Sequence, residues 1–565
     1  MSQSPSILAK ERIVAGPGFH RWLIAPAALG IHLCIGSVYA WSLFNPALVK
    51  RIGVVTSAAD DWTLKEVVWI FTVAIVFLGL SAAVAGKWLE KVGPRMVGVV
   101  ATACWVGGFV IGGLGIVSGQ LWLLYVGYGV VGGCGLGLGY VSPVSTLIRW
   151  FPDRRGMATG LAIMGFGGGA MLAQPMIEGF LHHYHELPTY VGTTADVELV
   201  TDAGRRYVER DGRRHEVVVV GANDVATMIE PGPEGVYLVG TGSVGVAETF
   251  FTLAAIYLVV MLGAAFLYRV PAPDWQPPGW TPPPEDDGHG RMITRHHVDI
   301  DEALKTPQFY QLWIMLCFNV TAGIGVLAVA KTMMTEIFGT TLPTIVDSTF
   351  AATYVLMISL FNMLGRFGWA SASDWLGRKR TYTIFFGLGI VLYCSIPYFA
   401  AQVSVAPSVT WLVLFYATTM LIFTMYGGGF ATIPAYLADL FGTRFVGGIH
   451  GRLLTAWSTA GVLGPLAITS LREHATSEAI GGLVAQIAPQ RFEAAFGAGV
   501  AELDRLVEAK TVTIAKLMEI APAGTVDPTP SLYNTTMYLM AGLLALALVA
   551  NALMRPVDSR HHLPG

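Results

Sequence analysis

The sequence contains little charge. Asp, Glu, Lys and Arg make up 13% of its 565 residues, whereas hydrophobic residues make up 53%. Soluble domains carry about 25% charged residues, so this composition excludes an ordinary soluble protein. About twelve apolar runs are long enough to cross the ~30 Å hydrocarbon core of a membrane as helices. The predicted spans are 22–44, 64–88, 96–117, 120–148, 156–181, 247–269, 308–337, 347–371, 382–403, 409–438, 446–471 and 533–554.

The sequence also lacks the patterns of processing, metal binding and catalysis. No small-residue cleavage site follows a short apolar core near the N-terminus, so we expect the first helix to be retained. A histidine-rich run, "HHYHE" at 182–186, is interpreted as a solvated helix end. There is no phosphate loop, zinc spacing or nucleophile elbow, so we predict no catalytic residue, no metal and no cofactor. The five cysteines lie inside predicted spans without metal-type spacing: Cys34, Cys104, Cys134, Cys317 and Cys394.

Positive charge lies on one side of the predicted membrane. The connections at 118–119, 338–346 and 404–408, on the other side, contain no Lys or Arg. The positive-inside bias therefore predicts that both termini are cytoplasmic in a multi-pass protein of a bacterial-type cytoplasmic (inner) membrane. The residues that establish the bias are Lys87, Lys91, Arg95, Arg149, Arg154, Arg155, Arg378, Lys379, Arg380 and Arg444.

A proline-rich segment divides the spans into six and six. Its centre, "PAPDWQPPGWTPPPEDDGHG", cannot form a continuous helix. The predicted class is an all-α integral membrane protein of two six-helix bundles, expected to be monomeric. Its predicted parts are a cytoplasmic N-terminal segment (1–21), an N-terminal bundle (22–269) with an outer loop at about 182–246, a cytoplasmic linker (270–306), a C-terminal bundle (307–554) with an outer loop at about 472–532, and a cytoplasmic tail (555–565).

The two outer loops occupy matching places in the two halves. This suggests a shared role as an external cap, although two independent insertions would look the same. Within the first loop, "RRYVERDGRRHEVVVVGANDV" predicts a strand, a turn at Asp211-Gly212 and a second strand.

One arginine, Arg366, lies in an otherwise apolar run. It precedes Asp374 by eight residues, which places it roughly 12 Å deeper along a helix and near the bilayer centre. A guanidinium there costs at least ~3 kcal/mol, so it should face a polar cavity or a partner acid. No Asp or Glu is predicted at comparable depth, so Arg366 is a candidate for binding an anion from solution. The alternative is that backbone carbonyls and Asn362, one turn away, satisfy it.

Histidines and aromatic residues recur at helical spacing in several spans. His32 and Tyr39 in the first span are seven residues apart, as are His450 and Trp457 in the eleventh, so each pair shares a helix face. Tyr426 and Phe430 in the tenth span are four residues apart, and Tyr140 in the fourth span and Asn319 in the seventh add polar tips at plausible depth. If these residues surround Arg366, they make a small low-dielectric box in which a carboxylate–guanidinium pair is strong and bidentate.

Two related motifs and a long match indicate a family. "GKWLEKVGPR" (86–95) and "SDWLGRKR" (373–380) resemble the major facilitator superfamily signature. "GYVSPVSTLIRWFPDRRGMATGLAIMGFGGGA" (139–170) and "FNMLGRFGWASASDWLGR" (361–378) resemble the oxalate:formate antiporter branch. The resemblance implies alternating-access transport of small carboxylates, with no covalent chemistry. It implies Arg366 as the substrate-binding arginine, cage roles for Tyr39, Tyr140 and Tyr426, and gating roles for Glu90, Arg95, Asp374, Arg378, Arg154 and Arg155.

The sequence departs from that branch in the eleventh span. Oxalate transporters of this type carry a lysine within "TAK", whereas this sequence reads "TAW" and places Trp457 there. One cation fewer favours a monocarboxylate, such as formate, lactate or pyruvate, over oxalate, because an uncompensated charge in low dielectric is costly. Protonated His32 or His450 would restore the second charge, which keeps an oxalate:formate exchanger as an alternative.

The mode of transport stays open at this stage. Exchange needs only the binding site, whereas proton symport needs a titrating group, for which His32 and His450 are the candidates. A different hypothesis is a membrane sensor built on a transporter core, which the enlarged outer loops favour. The expected partners are a small carboxylate, a proton and the lipid bilayer, and no nucleic acid.

Overall fold

A computed structural model describes residues 6–202, 205–210, 212–225, 228, 230–273, 275–281, 292–508 and 511–564. Within these ranges, twelve helices are long and apolar enough to span a membrane, as predicted. The spans, α1 to α12, are Arg21–Leu43, Leu64–Val92, Pro94–Ser118, Leu121–Trp150, Arg155–Tyr184, Val246–Leu267, Pro307–Leu327, Thr349–Leu376, Arg378–Val405, Val409–Phe441, Val446–Val484 and Thr529–Ala552.

Several helices extend past the apolar part that defines the span. The α7 helix runs from Pro307 to Phe338, and the α8 helix runs from Ser348 to Leu376. The α11 span reaches Val484, beyond the predicted end at 471, because the polar stretch that follows the apolar run continues as helix. Hydropathy marks only the residues that suit lipid, so it misses helix that projects into water. In α1 the segment Ser37–Leu43 tightens to a 3₁₀ helix.

The helices form two six-helix bundles, which confirms the predicted fold class. The bundles meet where α2, α4 and α5 pack against α8, α10 and α11. An even number of spans places both termini and the linker on one side, here called the terminal side. The two long loops lie on the other, here called the loop side. Which side faces the cytoplasm stays a prediction from the charge bias.

The two long loop-side segments have different secondary structures. The first contains strands β1 to β7, at His185–Glu186, Tyr190–Gly192, Val200–Asp202, Arg205–Arg210, Arg213–Val220, Gly235–Leu238 and Ser243–Val244. Five of them form an antiparallel sheet in the order β2-β6-β5-β4-β3, and β1 pairs with β7. The second segment contains the helices Pro489–Phe496, Leu503–Glu508 and Ile514–Ile520.

The predicted strand–turn–strand is confirmed in the first segment. β4 and β5 pair antiparallel from Arg206–Val217 to Arg210–Arg213. Gly212 of the turn has φ +66°, and residue 211 lies outside the described residues. Apolar residues on one face of this sheet bury Val55 of the α1–α2 loop, so the sheet is anchored to the N-terminal bundle.

The described end of the linker lies across both bundles on the terminal side. Residues 282–291, which contain part of the proline-rich centre, lie outside the described ranges. Beyond them the Val298 amide donates to the Phe441 carbonyl (3.0 Å), and a short helix follows at Ile300–Ala303. The Asp301 carboxylate accepts hydrogen bonds from Lys87 of α2 and Arg452 of α11. These two bonds lower the pKa of Asp301, and they connect the bundles through the linker.

Candidate solute-binding site

Arg366 lies on α8, fully buried at the interface between the bundles. Its Nε donates to Asn362 Oδ1 at 3.2 Å, one turn earlier on the same helix, and its Nη1 donates to the Ile163 carbonyl of α5 at 3.2 Å. Among the described residues no carboxylate lies within salt-bridge distance of it. Both sequence interpretations are therefore partly met, because Asn362 and a carbonyl satisfy two of the three nitrogens while the charge itself has no counter-ion.

Aromatic rings from both bundles enclose the guanidinium. Its Cζ lies 5.9 Å from the ring centre of Phe166 on α5 and 5.4 Å from that of Phe430 on α10, within cation–π range. The Trp457 ring of α11 packs against both of these rings, with centroid separations of 5.3 Å to Phe166 and 4.6 Å to Phe430. The structure thus places Trp457 against the two rings that contact Arg366.

Two predicted tyrosines complete the enclosure, here called the aromatic box: Tyr39, Tyr140, Phe166, Phe430 and Trp457. The Tyr140 ring is 5.4 Å from Trp457, and the Tyr39 ring is 6.5 Å from Trp457. Tyr39 reaches this position from the 3₁₀ segment of α1. Tyr426 is buried on α10, and its side chain lies close to the Tyr39 hydroxyl. The structure therefore brings Tyr39, Tyr140, Tyr426 and Trp457 together around Arg366.

The box contains hydrogen-bond donors without acceptors. Within the described part of the chain, Arg366 Nη2, the Tyr39 hydroxyl, the Tyr140 hydroxyl and Trp457 Nε1 are buried and make no hydrogen bond of good geometry. Leaving a buried donor unpaired costs about 1–3 kcal/mol, and more for a charged group. All four groups can donate, and the guanidinium and the indole can only donate. The site therefore suits a ligand rich in acceptors and negatively charged.

Glycines on α5 and α10 let the arginine lie between the helices. A Cβ at Gly167 would approach Arg366 Nε to 2.8 Å, and a Cβ at Gly427 would approach the Asn362 carbonyl oxygen to 2.2 Å. Such approaches require the neighbour to move. The glycine run in "MGFGGGA" thus serves the site as well as helix packing.

The two predicted proton-coupling histidines flank Tyr140. The His32 ring centre is 5.2 Å from the Tyr140 ring, and the His450 ring centre is 5.7 Å from it on the other side. Both histidines are buried, at 0% and 3% exposure. They differ in their hydrogen bonds: His32 Nδ1 lies 2.6 Å from the Ala162 carbonyl oxygen and Nε2 lies 3.1 Å from that of Tyr140. His450 has no hydrogen bond of this kind in the described part of the chain.

Three of the predicted gating residues meet on the terminal side. Asp374 accepts the amides of Gly156 (2.8 Å) and Met157 (2.9 Å), at the N-terminus of α5, where backbone donors lack helical partners. Arg378 donates to Asp374 (2.7 Å) and to Asp439 of α10 (2.9 Å). Arg155 donates to the same Asp439 at 2.8 Å. Since Arg155 belongs to the N-terminal bundle, this network connects the two bundles.

The other three predicted gating residues lie apart from that network. Glu90 pairs with Arg149 of its own bundle, and Arg149 also donates to the Arg444 carbonyl of the C-terminal bundle at 3.1 Å. Arg95 donates to the carbonyls of Ile7, Phe266 and Tyr268, also within the N-terminal bundle. Arg154 is exposed, and its Nε lies 3.9 Å from Asp153.

Sequence reasoning missed two residues that shape these sites. Phe166 was overlooked because it lies inside a glycine run, although an aromatic residue inside such a run is itself a signal. Asp439 was overlooked because it lies at the end of an apolar span, where an acid is usually interpreted as a boundary residue. Its buried position between Arg155 and Arg378 follows only from the packing of α10 against α5 and α9.

The fold and the enclosed interface site define a membrane transporter with two helical bundles. The sequence profile of the Major Facilitator Superfamily matches residues 31–192 and 235–465. The match covers more than half of the chain, so the protein belongs to the Major Facilitator Superfamily. Members of this superfamily are membrane transporters that move small molecules.

Relatives of known description cover most of the chain. The oxalate:formate antiporter of Oxalobacter formigenes is 25% identical over 79% of this chain and 83% of its own length. The apicoplast pyruvate carrier 1 of Toxoplasma gondii is 22% identical over 80% of this chain and 84% of its own length. The crystal structure of the E. coli fucose:proton symporter aligns with a TM-score of 0.53 at 10% identity, covering 94% of this chain and 97% of that one. The last similarity concerns the fold alone.

Proposed function

We propose that this protein is a secondary active transporter of small monocarboxylates and that Arg366 binds the substrate carboxylate. One observation carries the proposal: among the described residues, a buried guanidinium without a counter-ion shares an enclosed box with three further donors that make no hydrogen bond of good geometry. A carboxylate is an acceptor-only anion, and it can accept two parallel bonds from a guanidinium. The carboxylate descriptions of two relatives support the same substrate class.

The charge of the site favours one carboxylate over two. Arg366 is the one permanent cation in contact with the aromatic box among the described residues. The resemblance to oxalate transporters implies a second cation at the position that Trp457 occupies here. A dianion would bring a charge that the box does not balance, and such a charge is costly in a low-dielectric site. In this proposal Asn362 orients the guanidinium, because its side-chain oxygen accepts a hydrogen bond from Arg366 Nε.

Transport would proceed by rocking of the two bundles around this site. In this proposal the network of Asp374, Arg378, Arg155 and Asp439 closes the terminal side. The protein would reside in a bacterial-type cytoplasmic membrane as a monomer, with the terminal side facing the cytoplasm. The residue types support that orientation through the positive-inside bias.

A competition panel in proteoliposomes tests the substrate class. Formate, pyruvate, lactate and oxalate compete for uptake of radiolabelled formate into vesicles containing the wild type or the Arg366→Lys variant. Lysine keeps the charge but loses the planar fork, so we expect about a 100-fold loss of apparent affinity, consistent with losing a charged hydrogen bond worth about 3 kcal/mol. We expect the monocarboxylates to compete better than oxalate in the wild type.

A matched variant separates this effect from a general effect of lysine. Arg206 lies exposed on β4, far from the box in the sequence and on the loop-side sheet, so Arg206→Lys should transport like the wild type. Full carboxylate uptake by Arg366→Lys would show that the fork is not used. Stronger competition by oxalate than by every monocarboxylate would reject the preference for a single charge.

A further inference from the structure

His32 of α1 lies against Tyr140 of the aromatic box, and its hydrogen-bonding environment differs from that of the polar residues of the box. Its two ring nitrogens both face backbone carbonyl oxygens, Ala162 on α5 at 2.6 Å and Tyr140 on α4 at 3.1 Å. A carbonyl oxygen only accepts, so each nitrogen must donate to make a hydrogen bond. A neutral imidazole donates from one nitrogen, and only the imidazolium donates from both. In the neutral form one lone pair would point at a carbonyl oxygen.

We infer that His32 is the proton-binding residue of this transporter and that it carries a proton across the membrane together with the carboxylate. This inference rests on the proposed function and adds its coupling ion. The two carbonyls hold the imidazolium proton on each nitrogen, so the box contains a second positive charge when His32 is protonated. His450, the other candidate, has no such pair of acceptors in the described part of the chain.

Arg366 connects the proton to the substrate. The carbonyls of Ala162 and Ile163 are consecutive on α5, and they accept from His32 and Arg366, respectively. The two cations are therefore neighbours, and the charge of Arg366 opposes protonation of His32. A carboxylate bound to Arg366 cancels that repulsion. Each ligand thus favours binding of the other, and the coupling is reciprocal by linkage.

The remaining titratable groups around His32 do not replace this role. Tyr140 faces it from α4 and His450 lies beyond Tyr140 on α11. Tyr39 is on the same helix, two turns along. From α6, Tyr257 lies against Cys34 and Ser37. Glycine at 165 gives α1 room to approach, because a Cβ there would lie 3.2 Å from His32 Cβ.

The proton-binding residue, His32, belongs to the N-terminal bundle, and the carboxylate-binding residue, Arg366, belongs to the C-terminal bundle. His32, Tyr140 and Ala162 lie on α1, α4 and α5, so their hydrogen bonds persist when the bundle moves as a unit. Arg366 lies on α8 of the other bundle. Separation of the bundles therefore changes the distance between the two cations and admits water to both, which is when cargo is exchanged.

Direct observation of the imidazole tests the inference without depending on transport. In full-length protein labelled with ¹⁵N-histidine in nanodiscs, the His32 signals are assigned by their loss in His32→Gln. We expect an imidazolium with both nitrogens protonated, in a fraction that rises as the pH falls and rises further when formate is added. A neutral His32 from roughly pH 5 to pH 8, with and without formate, would overturn the inference.

Proton movement supplies the second readout. In weakly buffered solution, formate binding to the wild type should take up protons, and in proteoliposomes a pH gradient should drive accumulation. His32→Gln should lose both, while formate–formate exchange, which needs no net proton, continues at a measurable rate. His450→Gln should keep both, and the exposed His20→Gln is the matched control.

The outcomes separate the two proposals. Loss of proton coupling in His450→Gln but not in His32→Gln would show that His450 binds the proton, and it would reject the inference. A protonated His32 in a protein that binds no carboxylate would reject the proposed substrate while leaving the proton site standing. If the protonated fraction of His32 were the same with and without formate, the coupling through Arg366 would be rejected.

Discussion

Two buried arginines, Arg366 and Arg378, lie twelve residues apart in the sequence and have opposite surroundings. Arg378, at the terminal side, donates to two carboxylates, Asp374 and Asp439, and to Ser373. Arg366, within the aromatic box, donates to one amide and one carbonyl and leaves a nitrogen unpaired. Both are nearly or fully inaccessible to solvent.

In the proposed function, this difference separates a charge used for closure from a charge that binds a ligand. A buried arginine with acids on both sides has no need of a further anion, and breaking its pairs is costly. A buried arginine without an acid pays a desolvation cost that a bound anion can repay. The counter-ion, and not burial or residue type, indicates which arginine is the candidate for binding substrate.

Removing Asp439, the acid that Arg155 and Arg378 share, should have the largest effect because it disrupts the network that closes the terminal side. Asp439→Asn leaves Arg155 without an acid and Arg378 with one, so the terminal-side closure should lose about 3–5 kcal/mol. The bundles should separate there. Spin labels at exposed positions 91 and 380, one on each bundle, would report a longer distance.

The control for that measurement keeps the charge. Asp439→Glu retains a carboxylate and should stay closer to the wild-type distance distribution than Asp439→Asn. An unchanged distance in Asp439→Asn would mean that the network is not what holds the terminal side together.

Giving Arg366 an acid makes it resemble Arg378. In Asn362→Asp the new carboxylate lies where an amide oxygen now accepts from Arg366 Nε at 3.2 Å. It should compete with substrate and weaken formate uptake at neutral pH by about 100-fold, the equivalent of a charged hydrogen bond of about 3 kcal/mol. Uptake should recover on acidification, because protonation removes the competing charge.

A neutral replacement distinguishes competition from damage. Asn362→Ser removes the amide without adding charge and should weaken uptake much less, with no recovery at low pH. Equal uptake by Asn362→Asp and the wild type at neutral pH would contradict a carboxylate-binding role for Arg366.

The linker contact should give the smallest effect. Asp301 bridges Lys87 and Arg452 in an exposed position, where ion pairs contribute little and salt screens them. Asp301→Asn should change uptake by no more than about twofold. The bonds lower the pKa of Asp301 below its usual value, so their stabilising contribution is present at neutral pH and is lost only as pH falls through that lowered value.

This pH dependence has its own check. Asp301 stays ionised from neutral to mildly acidic pH, so it should not change the distance between wild-type labels at positions 91 and 380 over that range. High salt should reduce any difference in this distance between the wild type and Asp301→Asn. A large loss of uptake in Asp301→Asn would instead make the linker a main element of closure.

Sequence reasoning found most of the fold and part of the site. Hydropathy located all twelve spans, since lipid tolerates few other patterns. A lone deep arginine and helical spacing identified Arg366, His32, Tyr39, Trp457 and His450. Phe166 and Asp439 were not predicted, because their contacts with the arginines join helices that are distant in the sequence. The predicted gating group likewise divided: Asp374, Arg378 and Arg155 share one network across the bundles, whereas Glu90, Arg95 and Arg154 lie outside it.

By itself the sequence determined that the chain spans a membrane twelve times, that two halves are joined by a proline-rich linker, and that one guanidinium lies deep in an apolar helix. These properties are local, because length, hydropathy and spacing along one helix set them. The tertiary structure decided that, among the residues it describes, no acid pairs with Arg366 while two pair with Arg378, and that His32 faces two carbonyls. Those facts depend on which helices pack side by side, and no single segment contains that information.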